Sequence, residues 1–266
     1  MVLAPKTLKV EDNIMDKTNQ LIKHSGMIQM KNCLTSVERK AFNLLIQHAR
    51  KIMERTNTLP ISGRFEITLR ELEELLGVSA TNRSFLCDIL SEFVTHVVQY
   101  NIFDKDKSAR EMWLVTSTLV SEIAFTADHT ICRYAFPPSI TDAILSPAMY
   151  AKIDMTAQLR MSSNHSTALY EYYEDVLGGK RTEYTVRITL EDYRKLLGIV
   201  DRYPLYKDLN RYVLSKSHKE INELSPLTVD IKEYRIGRKV HALDVSITRV
   251  VRNTEERIRL LRDMLL

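Results

Sequence analysis

The sequence predicts an α+β protein built from two tandem winged-helix domains, each a helix-turn-helix followed by a β-hairpin wing. Residues 67–78 (ITLRELEELLGV) match residues 188–199 (ITLEDYRKLLGI) without a gap, which indicates one unit used twice. Each copy is followed by a second amphipathic segment at helical spacing and then by strand-like alternation. Only 7 Gly and 7 Pro in 266 residues favour helices and short hairpins over a turn-rich β-barrel.

The repeated segment predicts a short strand that runs into a capped helix. A β-type lead-in, residues 65–67 or 185–188, precedes a threonine N-cap. An acidic residue three positions later completes a start that resembles a capping box, and a glycine ends the helix in the left-handed conformation. These cap residues are Thr68, Glu71 and Gly77 in the first copy and Thr189, Asp192 and Gly198 in the second.

Further helices and hairpins complete the two units. We expect a first helix at 34–55 and at 161–177, and a helix after each glycine at 83–100 and at 205–224. We expect hairpins at 97–103 with 112–121 and at 227–231 with 240–247, and an additional strand near 132–136. The domains are placed at residues 1–150 and 151–266, with the boundary within 147–159. A period of roughly 120 residues is too long for a helical solenoid, whose units span roughly 20 to 50.

Composition and charge indicate a globular protein whose basic excess lies towards the C-terminus. The chain is 44% hydrophobic and 27% charged, with a net charge of +4. Residues 180–266 hold 19 Lys and Arg against 13 Asp and Glu, whereas residues 1–179 hold 19 against 21. The C-terminal third is therefore expected to meet a polyanion. The absence of a long apolar stretch and of a secretory leader predicts a cytoplasmic protein, in which Cys33, Cys87 and Cys132 stay reduced and mostly buried.

The predicted helix at 205–224 carries two opposite stripes. The stripe expected to be buried contains Tyr206, Leu209, Val213, Ser217, Ile221 and Leu224. The polar stripe contains Lys207, Arg211, Ser215, His218 and Asn222. Cations followed by small hydrogen-bonding side chains suit a helix in a DNA major groove, where Arg binds guanine through two hydrogen bonds. We expect base readout by Arg211 first and then by Lys207 and Asn210. A plain solvated helix face is the alternative.

A basic hairpin tip in the second unit favours the DNA interpretation. Arg235, Arg238 and Lys239 surround Gly237, where a wing would cross the sugar-phosphate backbone. In the first unit, helix 83–100 has a broad apolar face and Arg83 as its only cation, so we expect there either a weaker reader or a domain given partly to protein contacts. The candidate DNA-binding residues are Lys207, Asn210, Arg211, Ser215, His218, Arg235, Arg238, Lys239, Arg83, Lys105 and Lys107.

The sequence does not predict a catalytic site or a metal site. A rolling-circle nuclease needs two histidines separated by one residue, and the seven histidines form no such pair. We expect Tyr170, Tyr172 and Tyr173 to pack in and around the core. Residues 178–181 (GGKR) lack the first glycine and the Ser or Thr of a phosphate loop, so they predict a basic turn. No zinc-ligand spacing is present. We therefore expect no enzyme activity, no metal and no cofactor.

Several short segments occur in the order and spacing of one known family. They are residues 17–22, 34–45, 166–172, 196–198, 206–214, 220–222 and 237–239. Through them nearly the whole chain resembles the Rep_3 family of plasmid replication initiators. The resemblance implies two winged-helix domains that bind iterons, the repeated duplex sites of a plasmid origin, with the second domain as the main reader. It also implies origin opening and host initiator, helicase and chaperone partners.

The resemblance further implies two assembly states. Dimers, joined through the first domain, would repress the protein's own promoter and contribute to copy control, whereas monomers would bind iterons. A winged-helix transcriptional repressor without initiator activity is the nearest alternative, because it would bind duplex DNA in the same way. An endonuclease or strand-transfer enzyme is a third possibility, and it predicts metal-dependent nicking.

Overall fold

The computed structural model describes residues 19–28, 34–103, 112–145 and 150–250. The first elements are β1 (Gln20–His24), α1 (Ser25–Ile28), α2 (Ser36–Thr56), β2 (Phe65–Thr68), α3 (Leu69–Leu76) and α4 (Arg83–Glu92). They are followed by β3 (Val97–Phe103), β4 (Met112–Thr118), β5 (Glu122–Phe125), β6 (Ile131–Ala135), α5 (Pro138–Leu145), β7 (Tyr150–Asp154) and α6 (Met155–Arg160). The second half contains α7 (Asn164–Leu177), β8 (Glu183–Thr189), α8 (Leu190–Leu196), α9 (Tyr206–Leu209), a π-helical turn (Asn210–Leu214), α10 (Ser215–Leu224), β9 (Leu227–Ile236) and β10 (Lys239–Arg249).

The two halves repeat one plan of three helices and a three-stranded sheet. Strand order is β2-β6-β5 in the first half and β8-β10-β9 in the second, with every pairing antiparallel. The registers agree as well, because Ile67 pairs with Cys132 at the position where Ile188 pairs with Leu243. The predicted class of two α+β winged-helix units is confirmed.

The first half differs from the prediction at its second helix and its wing. The predicted helix 83–100 is wrong beyond Glu92, where α4 ends and a turn leads into β3, a run rich in β-branched and aromatic residues. Strands β3 and β4 form the expected hairpin but make a separate two-stranded sheet. The counterpart of the second wing is instead β5–β6, because β6 pairs with β2. Lys105 and Lys107 lie outside the described residues.

The helix caps are those that the repeat predicts. Thr68 Oγ1 accepts a hydrogen bond from the Glu71 N–H at 3.2 Å, and Thr189 Oγ1 accepts one from the Asp192 N–H at 3.0 Å. Gly77 and Gly198 each have φ 65°, the left-handed conformation that ends a helix at little cost only with glycine. The local sequence therefore sets where α3 and α8 begin and end.

A buried polar network joins the N-terminal strand, α2, α6 and α7. The Glu171 carboxylate accepts hydrogen bonds from Lys23 Nζ and Arg39 Nη1, each at 3.0 Å, and from the amides of Asn43 at 2.6 Å and Gln158 at 2.8 Å. Burial opposes ionisation, but the charges of Lys23 and Arg39 and the two amides lower the pKa of Glu171 to about 2. This network, with the β1–β7 pairing, ties the two halves together.

The core follows the sequence prediction for tyrosine and cysteine. Tyr170 and Tyr173 are fully buried, and Cys87 and Cys132 are buried thiols outside any disulfide, whereas Cys33 lies outside the described residues. Residues 178–181 form a turn after α7, in which Gly178 has φ 60°. Among the described residues, no helix is both long and apolar enough to cross a bilayer.

Candidate nucleic-acid interface

The helix formed by α9, the π-helical turn and α10 packs on the domain through the predicted stripe. Leu209, Val213, Ser217 and Ile221 are buried against the rest of the second unit. On the opposite side Lys207, Arg211 and Ser215 are exposed, and Asn210 is half-buried. The Ser215 hydroxyl donates to Asn210 Oδ1 at 2.9 Å across the π-helical turn. The cationic part of the predicted DNA-reading stripe therefore faces outward.

The placement of His218 on that polar stripe is wrong. His218 is only 6% exposed, its Nε2 lies 2.6 Å from the Tyr173 hydroxyl, and that hydroxyl lies 2.9 Å from the Tyr193 hydroxyl. Burial lowers the pKa of His218 to about 4, so it is neutral at physiological pH. The π-helical turn explains the error, because its wider turn rotates the residues after it away from the positions of an unbroken α-helix. His218 links three helices of the second unit instead of facing outward.

Asn222 is exposed but serves a structural contact. Its side-chain Oδ1 accepts the backbone N–H of Val229 at 2.8 Å, and its Nδ2 donates to the Val229 carbonyl at 3.2 Å. These two bonds hold the end of α10 to the start of β9. They fix the direction in which the wing leaves the helix.

The helix and the wing line one open groove of about 560 Å³. Its lining residues are Tyr206, Lys207, Asn210, Arg211, Ser215, Glu233 and Arg235. The first five come from the helix and the last two from β9, so the wing lies on the same side as the cationic stripe. Five of the seven were predicted as DNA-binding residues. They are Lys207, Asn210, Arg211 and Ser215 on the helix and Arg235 on the wing.

Two cations in the groove are unpaired within the described part of the chain. Lys207 and Arg211 form no salt bridge there, and the Arg211 guanidinium lies 5.4 Å from the centre of the Tyr212 ring. Arg235 differs, because its Nε donates to the Glu233 carboxylate at 2.9 Å. Desolvation, followed by the nearby Glu233 charge, raises the pKa of Tyr206 to about 12.

The sequence analysis missed two groove residues, Tyr206 and Glu233. Tyr206 was expected on the buried stripe, but it is half-buried and lines the groove. A period of two runs through β9, where Leu227 and Val229 are buried and Ile231 is half-buried. Because alternate residues of a strand share a face, this pattern carries on to Glu233 and Arg235 on the side that faces the helix. The same alternation, extended by one step, would have placed Glu233 in the groove.

The wing tip presents the other predicted cations. Gly237 has φ 61°, a conformation that favours glycine, and it turns the chain between β9 and β10. Arg238 and Lys239 are exposed, and neither forms a salt bridge with another described residue. They are therefore available to an anion beyond the groove.

The equivalent surface of the first unit lacks this charge. Arg83 is tied to Glu73 by two hydrogen bonds, at 2.7 and 2.9 Å. The exposed residues of α4 are Ser84, Phe85, Asp88, Ser91 and Glu92. The tip of the β5–β6 wing, residues 126–130, contains Asp128 and no lysine or arginine. This unit offers a neutral to acidic face where the second offers a basic one.

One group of possible metal ligands occurs in the first unit. Atoms of Glu38, Glu92 and His96 lie within 4.8 Å of one another. The Glu38 carboxylate already accepts the backbone N–H of Thr35 at 2.6 Å as part of the α2 cap, and Glu92 is exposed. We assign no ion to this group, because the Glu38 carboxylate is used by the cap.

Two family models match the chain. The model described as Initiator Replication protein, WH1, matches residues 15–174, and the model described as Initiator Rep protein, WH2, matches residues 189–247. The first match extends into α7, and residues 175–188, which include most of β8, lie between the two matches.

Two solved structures are similar to this chain in fold. A crystal structure of Pi initiator protein in complex with iteron DNA has a TM-score of 0.62 at 16% identity, covering 89% of this chain and 100% of that one. Domains 2 and 3 of RctB have a TM-score of 0.51 at 12% identity, covering 87% and 86%. No curated protein sequence matches the chain. At these identities the structural likeness shows the fold alone.

Proposed function

Since the chain belongs to the family of initiator replication proteins, we propose that it starts plasmid replication by binding iteron repeats in duplex origin DNA. It then opens the origin and recruits host replication proteins, namely an initiator, a helicase and chaperones. It acts in the bacterial cytoplasm and is not an enzyme. The Pi initiator, which has the same fold, is described in complex with iteron DNA.

The groove of the second unit is the observation that carries this proposal. Unpaired Lys207 and Arg211 lie on the helix, the wing closes the same side, and Arg238 and Lys239 extend the basic surface past the groove. This arrangement suits a helix in the major groove with a wing across the adjacent phosphates. Arg211 reads bases, with Lys207, Asn210 and Ser215 beside it, and the tip of the wing, with Arg238 and Lys239, holds the backbone.

The first unit has a supporting role in binding DNA and a role in dimerisation. Its helix α4 has no unpaired cation among the described residues, so it adds little base readout. The separate β3–β4 hairpin packs one face on the core through Val98 and Val115, whereas its other face exposes Val97 at 62% and Leu114 at 67% and, among the described residues, lacks an apolar surface to pack on. A second copy of the chain supplies that surface, and the dimer represses the protein's own gene.

Replication in trans tests the proposal directly. A plasmid whose only candidate origin is the DNA that flanks the gene is introduced into cells that express the protein from a compatible vector. Wild-type protein and the Lys219→Ala variant, altered outside the groove, are expected to give transformants. The Lys207→Ala, Arg211→Ala double variant is expected to give none at equal protein levels.

The alternatives give different results in paired assays. A repressor would bind the repeat in a gel-shift assay but give no transformants with wild-type protein. A nicking enzyme would relax supercoiled origin DNA with Mg²⁺ or Mn²⁺, whereas an initiator of the proposed kind leaves it supercoiled. Wild-type transformants without nicking support the proposal.

A further inference from the structure

Glu233 is an acidic side chain in a groove otherwise suited to DNA. It lies on β9 opposite Leu243 of β10, and it lines the groove with Lys207, Arg211 and Arg235. A carboxylate accepts hydrogen bonds and donates none, and it repels phosphate. Its presence lowers the affinity of the groove for DNA of any sequence. Attraction of phosphate therefore does not explain why a carboxylate lies there.

The contacts of Glu233 hold it in place in the free protein. Arg235 binds it through Nε at 2.9 Å and Nη2 at 2.5 Å, and Tyr206 lines the same groove. Desolvation, followed by the Glu233 charge, raises the pKa of Tyr206. The side chains of Glu233 and Arg235 are 33% and 54% exposed. An ion pair this exposed is weak, so DNA can separate the two partners at little cost.

Resting on the function proposed above, we propose that Glu233 is a selectivity residue that rejects duplexes in which the base opposite it is guanine or thymine, because these bases present no amino group in the major groove. In the cognate repeat the carboxylate accepts a hydrogen bond from the exocyclic amine of a cytosine or an adenine in the major groove. Arg235 is then released to a neighbouring phosphate. Where guanine or thymine takes that position, the carboxylate faces only acceptor atoms of that base and phosphate, and binding is penalised.

The two partners of the ion pair respond differently when DNA enters the groove. Phosphate competes for Arg235, which leaves the carboxylate without its cation in a partly desolvated groove. A base amine restores a partner, whereas a carbonyl or ring-nitrogen acceptor leaves an unpaired charge. Discrimination of this kind comes from the penalty against the wrong sequence as much as from attraction to the right one.

Glu233→Gln tests the proposal, with Glu223→Gln as the matched control. Both changes remove one negative charge, but Glu223 lies at the end of α10, outside the groove, where its side chain is 60% exposed. Affinity is measured by fluorescence anisotropy for a duplex carrying the cognate repeat and for a scrambled duplex of the same composition. Glutamine donates as well as accepts, so Glu233→Gln is expected to bind the scrambled duplex about tenfold more tightly and the repeat with little change. Glu223→Gln is expected to keep the wild-type ratio of the two affinities.

A second variant separates charge from shape. Glu233→Asp keeps the carboxylate and is expected to bind the scrambled duplex as weakly as wild type. The role of Glu233 would be overturned if wild type and Glu233→Gln had the same ratio of affinities for the repeat and the scrambled duplex. It would also be overturned if Glu223→Gln lost as much selectivity as Glu233→Gln. Both results would leave binding to the repeat intact. Wild-type protein that binds neither duplex would instead overturn the proposed function itself.

Discussion

Arg211→Ala is expected to separate DNA reading from protein stability. Arg211 is exposed, forms no salt bridge with the described residues and contacts the Tyr212 ring at 5.4 Å. A cation–π contact at an exposed site is worth about 0.5 to 1 kcal/mol, so the free energy of unfolding should fall by no more than about 1 kcal/mol. Loss of a bidentate base contact costs about 1 to 3 kcal/mol, which raises Kd for the repeat about 5- to 150-fold.

The assay compares the Arg211→Ala variant with Lys219→Ala. Lys219 is exposed on the same helix, outside the groove, with its Nζ 3.8 Å from a Glu223 carboxylate oxygen. Anisotropy titrations use the cognate repeat and single-base variants of it, and urea unfolding measures stability. Arg211→Ala should lose affinity for the repeat and lose its preference at one base pair, whereas Lys219→Ala should keep both. Unchanged base preference in Arg211→Ala, or an equal loss in Lys219→Ala, would refute base readout by Arg211.

Three further predictions follow from charge and burial. Replacing both Arg238 and Lys239 with Ala should weaken binding to every duplex and flatten the plot of log Kd against log salt by about two units; an unchanged slope would exclude phosphate contacts by the wing. Glu171→Gln leaves the buried cations Lys23 and Arg39 without their counter-charge, so it should lower the free energy of unfolding, measured in urea, by about 3 to 5 kcal/mol. The exposed control Glu54→Gln should lower it by about 1 kcal/mol or less, and equal losses in the two variants would contradict the network. Burial lowers the pKa of His218 from 6.5 to about 4, so the folded protein keeps the imidazole neutral, and the free energy of unfolding should fall as pH drops from 6.5 to 4. His218→Gln should make the free energy of unfolding less dependent on pH in that range. The same pH profile in wild type and His218→Gln would show that His218 takes up no proton on unfolding.

Local sequence was sufficient to predict most of the fold. The caps at Thr68 and Thr189 and the glycines that follow each helix are short-range signals, and they determine where α3 and α8 lie. The buried stripe of the long second-unit helix follows from its apolar period, and the wing strands follow from alternation. The outward position of Lys207 and Arg211 is the complement of that buried stripe.

The remaining features depend on tertiary contacts. The π-helical turn at Asn210–Leu214 has no simple sequence signal, and it moves His218 from the expected outer stripe into the core. The identity of the first wing depends on which hairpin pairs with β2, a long-range choice that alternation alone does not determine. Glu233 carries no local signal of a DNA contact, because phosphate repels a carboxylate. An acidic residue in such a groove becomes meaningful only once its neighbours are known.

Lysine acetylation footprinting tests the central claim on the unaltered chain. The protein is treated with an acetylating reagent, free and bound to its repeat duplex, and the modified sites are measured by mass spectrometry. Lys207 in the groove and Lys239 at the wing tip should be protected by DNA, whereas Lys195 and Lys219, which are exposed away from the groove, should react equally in both states. Protection of Lys195 and Lys219 with full reactivity of Lys207 and Lys239 would contradict the placement of DNA between this helix and its wing.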